Sequence, residues 1–469
     1  MITVRSLVIF VSMLGLGACQ GDGTLDTATS TVWVIEGATL IDGVSEKPIE
    51  DAVLVIAGDT ILSVGSRDSV EIPANAQIVN AVGKTIMPGI FNLHGHIATT
   101  EGMKSSWQWY MGFESTGVEY YSRERIQRDA NAYLYYGITH MVSLGHDEEP
   151  MIGFLADQRA GKAGGARLYS AGSGFAAKDG WMPNNLHLNR PTTPDEARQL
   201  VQQEVGKNPD LIKIWIDDRG GTWPKLTPDI YGAIIDEAHK HGLKVMTHMH
   251  YLEDSKELIR RGLDGLAHSV RDKEVDDEFL KLAKENGVTQ ITTLVAHSAT
   301  LAYADGPDFL DDPGLPVLFP SHVLETVGGR EYQERRANSP TIGETRKLYE
   351  IAVRNAAKIA AAGIPIAIGT DSGGPGRFQG LSEHREMELL VKAGLTPMQV
   401  IQAATINGAK FLGLEDKYGT LEPGKIADFI ILNANPLEDI RNSRKIDSVW
   451  MNGTQVDRAA LPLSTSPPE

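Results

Sequence analysis

Cysteine is almost missing from this chain: Cys19 is the single one in 469 residues. No disulfide can form within it, so its stability has to come from buried surface, and the length suffices for two domains or one large barrel with additions. Runs of Lys and Arg are missing too. With a formal net charge of −17, the chain lacks the basic surface that phosphate binding demands, which excludes a nucleic-acid partner. The acidity reads as a solubilising surface. After the first twenty residues, no apolar run reaches the ~20 residues a membrane-spanning helix needs.

The N-terminus carries its own signal. Arg5 precedes the apolar stretch SLVIFVSMLGLGA, too short for a permanent span and suited to a secretory signal. It runs into LGAC, Leu16 to Cys19, which resembles the lipobox of bacterial lipoproteins. That resemblance implies a signal peptide over 1–19, lipidation of Cys19 and a protein anchored in the bacterial cell envelope, facing the periplasm. Its contact with membrane would be through that anchor alone. The polar QGDGTLDTATST reads as a flexible tether over 20–31.

Short strand-like segments with tight turns follow, and the far C-terminus has the same texture in GKIADFIILN and IDSVWMNGTQV. The two ends are therefore expected to join in one small β-sandwich, from 32–85 and 412–460. Between them, over 86–411, strands and helices alternate. Eight strands are expected to end near His94, Leu144, Ala171, Ile216, Met249, His268, Leu294 and Asp371. Several are nearly continuous apolar runs, as in parallel strands covered on both faces. The expected fold is an α/β (β/α)8 TIM barrel. The connection from Ala296 to about Thr341, rich in Pro, Gly and charge, reads as a lid.

In such a barrel the reaction site lies at the C-terminal strand ends. Strand one ends in PGIFNLHGHIATT, with His94 and His96 on one side of an extended segment. Strand four carries Lys213 in LIKIWID, strand five His248 and His250 in VMTHMHY, strand six His268 and strand eight Asp371. Imidazoles and carboxylates suit zinc-like divalent ions. A Lys inside an apolar strand is costly as an ammonium and has its pKa lowered by burial. A neutral amine there can react with CO₂; the other reading is an ion pair with Asp217 or Asp218.

This order of residues resembles the amidohydrolase superfamily: HxH after strand one, Lys on strand four, His on strands five and six, Asp on strand eight. The stretch HREMELLVKAGLTPMQVIQAATINGAKFLGLEDKYGTLEPGKIADFIILNANPLEDI is similar to the branch of imidazolonepropionase-like proteins and Xaa-Pro and Xaa-Arg dipeptidases. The resemblance implies a carboxylated Lys213 bridging two divalent metal ions, zinc in type. His94, His96 and Asp371 would hold the first ion and His248 and His268 the second. His250 would be catalytic or face the substrate.

The implied activity is hydrolysis of an amide or peptide C–N bond in a small-molecule substrate, as by a dipeptidase or N-acyl-amino-acid hydrolase, with Asp371 as general acid and base. A homo-oligomer is expected. Specificity would reside in the loops after the strands: His146, Arg190 and Trp181, Arg219, His297 and Arg377. WIDDRGG after Lys213 departs from the small residues usual in the dipeptidases. Two alternatives are a mononuclear deaminase or cyclic-amide or amidine hydrolase, which typically lacks the strand-four Lys, and a non-catalytic binding relative, which usually lacks ligands.

Overall fold

The computed structural model describes residues 31–97, 121–182, 186–374 and 376–461. The leader, Cys19 and nearly all of the tether lie outside the described residues.

The two chain ends meet in one eight-stranded sheet. Its order is β16-β15-β14-β5-β1-β2-β3, with β4 paired to β1. Here β1 is Val32–Leu40, β2 Ile49–Ala57, β3 Thr60–Ser66, β4 Gln77–Asn80 and β5 Thr85–Pro88. From the C-terminal end come β14, Phe429–Leu432, β15, Ile446–Met451, and β16, Thr454–Gln455. Alternation along these strands puts Ile35, Leu54, Ile56, Ile86, Phe429 and Trp450 into one buried cluster. The other face of β1 and β2 packs Val34, Val53 and Val55 into a second cluster.

Gly89 passes the chain from this sheet to a set of parallel strands. Three form one sheet, β6-β7-β8: Ile90–Gly95, Ile138–Ser143 and Arg167–Ser170. Five form another, β13-β12-β11-β10-β9. These are β9, Ile212–Ile216, β10, Val245–Met249, β11, Gly265–Ala267, β12, Thr289–Ile291, and β13, Ile366–Ala367. Nearly every residue in them is buried, because helices cover one face and other strands the other.

Backbone hydrogen bonds also run between the two parallel sheets. Leu93 N donates to Ile368 O at 3.0 Å, and Thr370 N donates to His94 O at 2.9 Å. On the other side, Phe175 N donates to Lys213 O at 2.8 Å, and Trp215 N donates to Phe175 O at 2.9 Å.

The first seven strand ends fall within three residues of expectation. The eighth differs more: β13 stops at Ala367, and the backbone reaches Asp371 as an irregular segment hydrogen-bonded beside β6. The connection after β12 is helical rather than an open loop. It contains helices Leu294–Ala304, Leu315–Leu318, Ser321–Gly328 and Arg330–Ala337. Leu315, Leu318, Phe319, Val323, Val327 and Tyr332 anchor it in the main core, and burial of those side chains overrides the Pro, Gly and charge around them. Among the described residues no helix is long and apolar enough to cross a membrane.

Candidate metal centre and active site

His94 lies in β6 and His96 two residues on, so extended geometry turns both imidazoles the same way. Asp371 reaches them from beyond β13. Its Oδ1 lies 2.9 Å from His96 Nε2 and 3.5 Å from His94 Nε2. One donor atom from each of the three lies within 4.8 Å of the others, a spacing that could hold a metal ion. Burial drives the His94 pKa well below its usual range, with Lys213 adding to the effect, so this ring is neutral and keeps a lone pair. Burial raises the Asp371 carboxyl, but Arg377, His96 and His94 outweigh it and hold it well below the usual range. Two imidazoles and a carboxylate are a donor set that fits a divalent ion.

A second group adjoins the first. The His268 ring centroid is 4.7 Å from that of His94 and 4.5 Å from that of His248. Among the described residues, each of these two rings is oriented by a hydrogen bond at one nitrogen. His248 Nε2 pairs with Asp217 Oδ2 at 3.1 Å, and His268 Nδ1 with Thr293 Oγ1 at 2.7 Å. The opposite nitrogens, His248 Nδ1 and His268 Nε2, stay available, an arrangement typical of oriented metal-ligating imidazoles. Burial lowers the His248 pKa to about 3.

Lys213 is 1 % exposed in β9. The expected alternative, an ion pair with Asp217 or Asp218, is not what forms. Asp217 pairs with His248 and Arg219, while Asp218 bonds Tyr251 and Lys225. Lys213 Nζ instead lies 5.3 Å from the Trp215 ring centroid, and burial lowers its pKa to about 7, with Asp371 opposing the fall. A substantial fraction is therefore neutral amine near pH 7.

The backbone is strained around these groups. His146, Arg219, His268, Thr293 and Asp371 all have positive φ, at 58°, 51°, 117°, 48° and 54°. They make up five of the nine such non-glycine residues described, and costs of ~1–3 kcal/mol each typically gather at functional sites. Two buried carboxylates hold the strained segments. Glu383 accepts from Asn92, Thr370 and Ser372 at 2.6, 2.7 and 2.9 Å, tying β6 to the Asp371 segment. Glu386 accepts from Thr292 Oγ1 and from the Leu294 and Val295 amides, fixing the turn that carries Thr293.

The other expected residues scatter. Arg219 and Arg377 line the cavity beside the histidines, as does Trp181. The Arg219 guanidinium stacks 3.8 Å from the Trp181 ring centroid, and Arg377 Nη2 lies 3.2 Å from Asp371 Oδ2. The His146 ring is 5.1 Å from that of His96, and the His297 ring 5.5 Å from that of His268. His250 packs on Tyr251 with ring centroids 4.6 Å apart. Arg190 donates to the Ala177 and Met182 carbonyls. Sequence reasoning missed Trp215, Thr293, Glu383, Glu386 and the cavity residues Tyr303, Tyr332 and Arg336. The spacing of Glu383 and Glu386, on one helix face after the eighth strand, was a signal for the two carboxylates.

Comparison with known proteins agrees with this geometry. The model of the Amidohydrolase family matches residues 85–456. The ochratoxinase of Aspergillus niger is 25 % identical, over 91 % of this chain and 87 % of its own length. The imidazolonepropionase of Geobacillus kaustophilus is 23 % identical, over 82 % and 84 %. A crystal structure of a Xaa-Pro dipeptidase with methionine bound in its active site superposes with a TM-score of 0.73. It is 24 % identical, over 91 % of this chain and all of that one. With the family model covering most of its length, the chain belongs to the amidohydrolase family and is a hydrolase of C–N bonds.

Proposed function

We propose that the protein hydrolyses an amide or peptide bond of a small molecule at a binuclear metal centre. His94, His96 and Asp371 would hold one divalent ion and His248 and His268 the other, with a carboxylated Lys213 as a further anionic ligand. The observation that carries this reading is the buried Lys213, without a carboxylate partner among the described residues, beside two sets of imidazoles whose free nitrogens are available. A mononuclear deaminase leaves that lysine without a role.

The two parallel sheets are read as one closed eight-stranded barrel. In support, a single buried cluster takes Leu93, Val142, Met246, Ala267, Ile291 and Ala367 from six of the strands, and hydrogen bonds bridge both gaps between the sheets. The terminal sheet, which packs one cluster around Trp450 and another around Val53, is read as the accompanying sandwich.

Zinc-like ions held there would supply a Lewis acid for the carbonyl and a water acidified toward neutrality. The Asp371 carboxylate would serve as the group that holds a proton during the reaction and passes it to the leaving nitrogen. Arg377, bonded to both the carboxylate and the carbonyl oxygen of Asp371, fixes its orientation and keeps it ionised between turnovers. Trp181 and Trp215 exclude bulk water from the histidine face. His250, whose ring packs on Tyr251 just beyond the end of β10, would support the ligand strand or face the substrate.

The test is metal analysis of the purified chain alongside hydrolysis of N-acyl-amino-acid and dipeptide sets. About two ions per chain and release of free amine are expected. One ion with ammonia release would favour the deaminase, and no ion would favour a binding relative.

A further inference from the structure

Part of the cavity wall comes from the helical segment between β12 and β13. Tyr303 lies on helix Leu294–Ala304, and Tyr332 and Arg336 on helix Arg330–Ala337. The two tyrosines meet edge to face, with ring centroids 5.1 Å apart. Tyr303 donates its hydroxyl to Gly376 O at 2.7 Å, which joins this wall to the segment after Asp371. Arg336 is laid along Tyr332. Its Cζ is 4.9 Å from the ring centroid, and its Nη2 donates to the Tyr332 hydroxyl at 2.8 Å.

Three arginines line the cavity: Arg219, Arg336 and Arg377. Two are already neutralised. Arg219 Nε lies 3.5 Å from Asp217, and Arg377 Nη2 3.2 Å from Asp371. Arg336 has no carboxylate within ion-pair distance among the described residues, and its Nε is buried without a hydrogen-bond partner. A partly desolvated guanidinium without a counter-charge is costly, and an anionic ligand in the cavity removes the cost. The planar fork of Arg suits a carboxylate, since it offers two parallel N–H donors. Trp181, Trp215, Tyr303 and Tyr332 also line this cavity and make its wall aromatic.

We propose that Arg336 is the specificity residue that binds a free carboxylate on the substrate, which makes the substrates N-acyl amino acids or dipeptides with an aromatic or bulky apolar group. The inference rests on the amide-hydrolase reading above and adds the residue and the charge it selects. The helical segment thereby acts as a fixed recognition wall.

The probe pair is N-benzenesulfonyl-L-phenylalanine and its carboxamide, whose sulfonamide bond resists hydrolysis. Binding to the metal-loaded full chain is measured by calorimetry. The wild type should bind the acid at least about 10-fold more tightly than the carboxamide, the scale of a charge-assisted hydrogen-bonded pair. Arg336→Gln should collapse that ratio to below about threefold, and Arg336→Lys should give an intermediate ratio, because charge remains but the fork is lost. Arg335→Gln removes the same charge from the next position on the helix and should leave the ratio as in the wild type. A wild type without preference, an Arg336→Gln variant that keeps it, or an equal collapse in Arg335→Gln overturns the proposal. The amide-bond reading fails separately, if no N-acyl amino acid is turned over while the Arg336-dependent preference persists.

Discussion

Replacing Lys213 by Met should make the metal-free protein more stable while destroying its metal centre. The ammonium is buried in β9 and its pKa falls from 10.5 to about 7. Below pH 7 the folded chain must bury the charge, and between pH 7 and 10.5 it must give up a proton that the unfolded chain still holds. The penalty is therefore full below pH 7, shrinks as pH rises from 7 to 10.5, and vanishes above that. A shift of this size corresponds to about 5 kcal/mol at its ceiling. Methionine fills most of the same volume without a charge. The assay is urea unfolding of chelator-treated protein in bicarbonate-free buffer at pH 6.5 and pH 9.5, followed by tryptophan fluorescence. Lys213→Met should unfold at higher urea than the wild type at pH 6.5, with the gap narrowing at pH 9.5. Metal content and turnover of the variant should both collapse once metal is restored to the buffer. A variant that is less stable at pH 6.5, or a gap that does not depend on pH, would refute the reasoning and make Lys213 a satisfied structural cation.

Asp371→Asn keeps an oxygen for the metal but no basic carboxylate, so metal content should largely persist while turnover falls at least ~10²-fold; equal turnover removes Asp371 from proton transfer. Glu386→Gln turns one acceptor toward the Thr292, Leu294 and Val295 donors into a donor. It should cost about 1–3 kcal/mol in urea unfolding and weaken the ion held through His268, read by metal titration; unchanged affinity would show that Thr293 does not orient His268. Cys19→Ser should shift the protein from the membrane fraction to the soluble fraction on cell fractionation, and continued sedimentation with membranes would reject a lipid anchor at Cys19.

Much of the site was legible because residue type and strand position carry it. His94 and His96 two apart at the end of an apolar run, Lys213 inside LIKIWID and Asp371 before Ser-Gly-Gly are local signals. So is the apolar texture that buries β6, β9 and β10 on both faces. Burial of Lys213 followed from its neighbours in sequence, since a strand covered on both faces leaves no route to water.

Tertiary structure alone decided the partners. Asp217 was equally able to neutralise Lys213 or to orient His248, and the close approach of β9 and β10 assigned it to His248. His248 and His250 share a strand side in sequence, but β10 ends at Met249, and His250 turns onto Tyr251. The bond from Asn92 to Glu383 spans 291 positions, and Arg336 enters the cavity from a helix that the sequence presented as a charged connection. Pairings over such separations depend on how the strands and helices close around the core, and no window of sequence contains that information.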